Sequence, residues 1–423
     1  MTELASASYD RQSKGGLTFV IGLNLCLAGI YTNFGFHVGG RPATGVLVIA
    51  GAMFLVPHMV PHMRSLFWLG WLVFFLTVSL VAGGSGAVLF EKRLTSWLQI
   101  IVALGCAHIV LCAIVYPKTV RKTLFLWLMF IVVGMILETI FSPIRELSDA
   151  FRHVVFLKEL LYVDDVRDLN IYGFVRPKLF TAEPSHVASG FVIFGAGWYV
   201  LSSLRRRFIL MLICTILAIL FLGSPFVLLA LPLAWFLDRM ASGHAVFGLV
   251  AAGVPLLGIV ALILMRFSTR FADILSGKDT SFFVRFLGPY EVALKSIEQY
   301  PLFGVGIGAK PALDRHIDIV YSSFGSSWVD DHRLYLLNNA FANSLSFFGL
   351  AGAAIFFFLI ARWAKGFGIR ALVSLLVILL LFQLDGGLET LRMWGSIAVV
   401  LGCYAMAREN NVRETEEAPP GVP

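Results

Sequence analysis

Three stretches of this 423-residue chain gather side chains that could do chemistry. In the first, Arg176 and Lys178 stand just before Glu183-Pro184-Ser185-His186. Two cations beside a helix start form a site for a phosphate or pyrophosphate, because the first amides of a helix are unpaired and attract anions. Proline suits a first helical turn and a carboxylate there complements the helix dipole, so Glu183, Pro184 and Ser185 also fit a plain helix entry. That plain role leaves Arg176 and Lys178 without a reason.

The second stretch runs from Thr280 to Gly308. Apolar residues at 286, 290, 293, 294 and 297 follow helical spacing, with Arg285 at the head of the helix. Pro301 to Gly308 should end it in a flexible turn. Gly304, Gly306 and Ala309 formally satisfy a dinucleotide fingerprint, but no strand precedes them, so that reading fails. Gly304 and Gly306 are instead expected to let the backbone turn closely against a membrane-facing substrate site. In the third stretch, Asp330 and Asp331 precede His332, which they could orient as a general base. Asn338, Asn339, Asn343 and Ser344 then stand at the mouth of an apolar run, Asn339 and Asn343 sharing one face. A solvated loop histidine and hydrogen bonding between helices are the plainer roles for these groups.

The elements that must position these residues are membrane helices. The chain is 58% apolar and only 14% charged, with mean hydropathy +0.83. Soluble domains run at about 45–50% apolar and about 25% charged. A secreted disulfide scaffold, a disordered chain and a DNA-binding domain are excluded. The net charge of +7 reads as basic cytoplasmic loops rather than nucleic-acid binding. Cys26, Cys106, Cys112, Cys214 and Cys403 all lie in apolar runs without CxxC spacing, so neither a metal nor a disulfide is expected.

Apolar runs at about 16–38, 42–61, 65–90, 94–116, 123–141, 186–203, 208–222, 224–238, 245–265, 338–361, 369–385 and 391–407 predict an all-α polytopic membrane protein. About twelve transmembrane helices would form a single integral domain over 1–423, although 208–238 could be one broken span. Short-loop lysines and arginines collect on one side, among them Lys118, Arg121, Lys122, Arg205, Arg206, Arg207, Arg362 and Lys365. The short loops of the other side hold only Arg41, Lys92, Arg93 and Arg392. The positive-inside rule then puts both termini in the cytoplasm, including a disordered tail over 408–423. It puts two long loops, about 142–185 and 266–337, on the outer face. Spans nearly free of charge, with Glu138 and Asp385 at outer ends, argue against a transporter built around midplane charges.

The three stretches, in this order, resemble the O-antigen ligase/polymerase family of bacterial polysaccharide enzymes. Pro301-Leu-Phe-Gly304-Val-Gly306 is similar to the family's Pro-Leu-Phe-Gly-x-Gly turn, with Arg285 before the preceding helix. Arg176 with Glu183-Pro184-Ser185 resembles the family's Arg…Glu-Pro-Ser segment, in its polymerase wording. Ligases of the family carry His-Asn where this chain has Asn338-Asn339, ahead of Gly349-Leu-Ala-Gly352. The ligase base is therefore absent at that place, and His332 stands upstream.

The resemblance implies a membrane-embedded glycosyltransferase of the GT-C type in the bacterial inner membrane, its active site facing the periplasm. It would polymerise oligosaccharide repeat units carried on undecaprenyl pyrophosphate, with a glycan or lipid-linked acceptor, into O-antigen or exopolysaccharide. Arg176, Arg285, His332 and Asn338 would be catalytic, and Lys178, Glu183, Gly304, Gly306 and Asn339 would bind substrate. No metal or cofactor would be needed, since arginine forks bind phosphate bidentately. A chain-length regulator and a flippase would be its protein partners. The alternatives are an O-antigen ligase acting on lipid A-core and a transporter of lipid-linked oligosaccharide.

Overall fold

In a chain this apolar, backbone groups at membrane depth must be paired within the protein, which leaves helices as the economical solution. A computed structural model describes residues 16–38, 41–82, 90–156, 161–243, 282–324, 329–330, 336–337, 339–384 and 386–417. Every expected apolar run within those residues is centred on a helix, and the run at 245–265 lies outside them. Helices α3 (Met63–Ala82), α4 (Phe90–Ala113), α5 (Pro117–Ile140) and α13 (Ala340–Lys365) are long and apolar enough to cross a membrane. The protein is a helical membrane protein.

The described chain divides into two compact units, and the division falls within α4 and within α15 (Leu391–Glu417). The first unit opens on α1 (Leu17–Thr32) and α2 (Val46–Leu55), joined by a hairpin of β1 (Gly35–Val38) and β2 (Arg41–Thr44) in antiparallel register, Gly35 opposite Thr44. Asn33 ends α1 in the left-handed conformation that asparagine tolerates. With ten residues, α2 rises only about 15 Å before Pro57 turns it into a short 3-10 segment. The run at 42–61 therefore holds a half-length helix.

Next come α5, α6 (Ser142–Val155), α7 (Asp165–Tyr172), α8 (Pro184–Leu201), α9 (Arg207–Leu222) and α10 (Ala230–Ala241). Prolines open α5, α6 and α8 at first-turn positions, where a missing amide costs nothing. Helix α8 is buried almost all round from Val187 to Val200, with α5, α9 and α10 packed on it. The stretch 208–238 forms two helices rather than one broken span, separated by Gly223 in a left-handed cap and a 3-10 turn over Pro225–Leu229.

The second unit contains α3, a π-helical turn over Phe283–Leu287, α11 (Gly288–Gln299), α12 (Asp314–Val320), α13 and α14 (Ala371–Leu384). α3, α11 and α14 all pack on α13. The buried face of α11 is Gly288, Pro289, Val292, Ala293 and Ser296, while Leu294 points outward, 60% exposed. Of the apolar positions spaced over 286–297, Ala293 is buried, Phe286, Tyr290 and Ile297 are half-buried, and only Leu294 faces fully outward. Ser296 faces α13, its Oγ donating to the Ser346 carbonyl at 3.4 Å, and Gly288 leaves room for the Tyr321 ring.

The tail also departs from expectation. α15 continues past Ala407 to Glu417, through a segment of helix-forming residues that meets its first proline only at Pro419.

Candidate functional site

In the first unit, the Arg176–Glu183 segment is held by charge on every side. Glu138, in the last turn of α5 and 1% exposed, accepts the amides of Lys178 (2.9 Å) and Leu179 (2.7 Å). Ser148 Oγ accepts the amide of Phe180 at 3.0 Å. These bonds hold Leu179 and Phe180 at φ of 40° and 61°, left-handed backbone that non-glycine residues seldom adopt. Arg152 of α6 clasps the same loop. Its Nε donates to the Thr181 carbonyl at 2.6 Å, and one terminal nitrogen donates to the carbonyls of Tyr162 (2.8 Å) and Ala182 (2.9 Å). The other terminal nitrogen meets Asp149.

The two candidate cations are paired with carboxylates. Arg176 donates from Nε to Asp168 Oδ1 at 2.8 Å and lies over the rings of Tyr172 and Tyr162, at 4.5 and 5.5 Å. Burial alone would lower its pKa, but Tyr172, Asp168 and Tyr162 together raise it, so it stays charged. Burial and the Asp168 hydrogen bond push the Tyr162 phenol up to about 12. Lys178 is buried, with Nζ 2.7 Å from Asp165 and 3.6 Å from Asp149. Neither stands as an isolated charge beside α8. Glu183 is the residue before α8, and its carboxylate accepts from Ser185 Oγ and lies 3.6 Å from His186 Nε2. Arg152, Asp165, Asp168 and His186 escaped sequence reasoning as site residues. Glu183 followed three residues later by His186 was the one local signal available.

In the second unit, the Pro301–Gly306 turn is pinned, contrary to its expected flexibility. Helix α13 breaks at Gly349, whose φ of 65° and ψ of −170° are closed to other residues. A break strands carbonyls before it and amides after it. The turn supplies the partners: Val305 and Gly306 donate to the carbonyls of Ser346 (3.0 Å) and Phe347 (2.9 Å). In return, Leu350 and Gly352 donate to the carbonyls of Pro301 (2.8 Å) and Leu302 (3.0 Å). A Cβ on Gly304 would lie 2.5 Å from the backbone of Phe347, so the approach requires glycine. The expected close turn is present, and it closes on a broken helix.

Asn339 caps α13 and ties this region together. Its Oδ1 accepts the Ala342 amide at 3.0 Å. Its Nδ2 donates to Gln383 of α14 at 2.8 Å and to the Arg285 carbonyl at 3.3 Å. Gln383 in turn donates to the Tyr290 hydroxyl. Asn339 is wholly buried and its amide fully used, which makes it a positioning residue for Arg285 rather than a surface for substrate. Arg285 itself is exposed on the π-turn. Gln383, a polar side chain inside the apolar 371–384 run, was the legible sign of this knot and went unread. His332 and Asn338 lie outside the described residues, as do Asp331 and Asp385.

No family model, curated protein or solved structure matches this chain. Function must therefore be argued from these residues.

Proposed function

We propose that this protein is a glycosyltransferase of the bacterial inner membrane that elongates saccharide chains carried on undecaprenyl pyrophosphate, at the periplasmic face. One observation carries the reading. Arg285 is an exposed arginine on a turn whose backbone Asn339 fixes, at the head of a helix whose far end docks onto a broken apolar helix. Irregular backbone at membrane depth is tolerated where protein buries it or it lines a cavity, and broken helices recur at membrane substrate sites.

In the proposed reaction an acceptor sugar hydroxyl attacks the anomeric carbon of the donor. The bond to the pyrophosphate oxygen breaks, and the hydroxyl proton passes to a base. Negative charge grows on the leaving pyrophosphate, where a guanidinium fork can take it up. Arg285 is assigned that role, His332 that of base, and Asn338 the orientation of the hydroxyl. Arg176 as a second catalytic cation, with Lys178 and Glu183 as substrate-binding groups, belongs to the same proposal. The Glu183-Pro184-Ser185 wording and the asparagine at 338 favour a polymerase over a ligase. The twelve-span topology with loops 142–185 and 266–337 outside belongs to the same proposal.

Purified protein in proteoliposomes, given lipid-linked repeat units alone, should yield a ladder of lengthened lipid-linked chains. Transfer only to added lipid A-core would mark a ligase, and movement of unchanged substrate across the membrane a transporter. Orientation is tested with single cysteines at the exposed Asn170 and Ser323, the five buried native cysteines having been replaced. Both should react with an impermeant maleimide on cells whose outer membrane alone is opened. Labelling of both only after the inner membrane is broken would reverse the topology.

A further inference from the structure

Helix α6 is amphipathic with its faces the wrong way round for a water-soluble loop. Ser148 and Arg152, on its polar side, are 0% and 1% exposed. Leu147, Phe151 and Val154, one helical stripe at spacings of four and three, are 61%, 40% and 86% exposed. Glu146 and His153, on the flank between these faces, are exposed as well. An aqueous loop would gain nothing by turning three large apolar side chains outward and an arginine inward.

The stripe does not begin with α6. Leu126, Phe130, Val133 and Ile140 form the exposed apolar line along α5, a helix long enough to span the bilayer. The chain then bends at Phe141, in extended conformation and itself exposed, before Pro143 starts α6. Exposed Ile140, Phe141 and Pro143 carry outward apolar surface through this bend toward Leu147.

We infer that α6 lies in the membrane interface, with Leu147, Phe151 and Val154 among the lipid acyl chains and Glu146 and His153 toward the headgroups and water. A helix with one apolar face and a polar opposite face takes this in-plane position, and continuity with the lipid-facing side of α5 names lipid as the occupant. Ser148 and Arg152, on the inner face, hold the Tyr162 carbonyl and the 180–182 backbone. Through them the interfacial helix hangs the segment bearing Arg176 and Lys178 at the depth of lipid phosphates. The inference rests on the membrane character of the protein and stands apart from the transferase reading.

Spin labels test it in the full-length protein, reconstituted in phosphatidylethanolamine/phosphatidylglycerol liposomes. Leu147→Cys, Phe151→Cys and Val154→Cys should be relaxed more by oxygen, which partitions into lipid, than by a water-soluble nickel chelate. Glu146→Cys and His153→Cys should show the opposite ratio. All five positions are exposed, and because the Phe151 ring also meets Phe180 edge-on at 5.5 Å, Leu147→Cys and Val154→Cys give the reading with less disturbance of packing. Stronger relaxation by nickel at 147, 151 and 154 would place the helix in water. Protection of those three from both agents would mean a protein neighbour, including a second copy. Either outcome overturns the inference.

Discussion

Arg285→Ala is expected to abolish chain elongation while the protein still inserts and folds at wild-type yield. The side chain is exposed, and its local fold is held through its own carbonyl by Asn339, a bond that alanine keeps. Point substitutions typically cost about 1 kcal/mol, well short of unfolding a domain. A charge-assisted hydrogen bond is worth about 1.5–3 kcal/mol, so losing a two-pronged contact to pyrophosphate would cost roughly 3–6 kcal/mol. That corresponds to a rate lower by about 10²–10⁴-fold. Arg285→Lys should recover little, since an ammonium lacks the planar fork. The readout is turnover on lipid-linked repeat units, beside monodispersity and melting of the purified variant. Near wild-type turnover in Arg285→Ala would move the leaving-group site elsewhere. Arg176→Ala discriminates less, because it also removes the guanidinium from the buried Asp168. That carboxylate then keeps only neutral donors among its described partners, the Tyr162 hydroxyl and the residue-176 amide. Breaking a buried ion pair typically costs about 3–5 kcal/mol in folding.

Apolar run length made the helices legible, because a membrane helix must be continuous and apolar whatever its neighbours are. It separated 208–222 from 224–238, which Gly223 divides, but it could not show that α2 stops after one half-length, since that outcome hangs on the turn at Pro57. The Pro301–Gly306 turn was legible as a close approach of backbone, because glycines at alternate positions have few other uses. Its target was not, because Gly349 reads as one more small residue in an apolar run until its left-handed backbone is seen. The cations at 176 and 178 were found, but their pairing was not. Asp149, Asp165 and Asp168 lie 8 to 29 residues upstream, and only the fold of α6 and α7 brings them there. Arg152 was hidden by the opposite assumption, that a charged residue in an outer loop is solvated. A helix whose apolar face meets lipid reverses that expectation.

Gly349→Ala should destabilise the protein severely, and the cause lies in backbone rather than side chains. Residue 349 sits in a region of backbone space that costs a non-glycine residue about 1–3 kcal/mol. Its Cβ would stand 2.6 Å from the Leu302 carbonyl carbon and 2.7 Å from the Gly304 nitrogen, and neither atom can rotate away. Relief requires the turn to lift off α13. That exposes the four backbone hydrogen bonds between 301–306 and 346–352, worth about 0.5–1.5 kcal/mol each. The total, roughly 3–9 kcal/mol, is comparable with the whole stability of a typical domain, about 5–15 kcal/mol. Gly105→Ala in α4 is the matched control, since nothing lies within 4 Å of its added Cβ and alanine favours a helix by about 0.5–1 kcal/mol. Melting of the two variants in one detergent decides the matter. Gly349→Ala should lose its cooperative transition or melt many degrees lower, while Gly105→Ala melts at or above wild type. Equal melting of the two would mean that the turn is not clamped on the broken helix, and the positioning of Arg285 would then need another account.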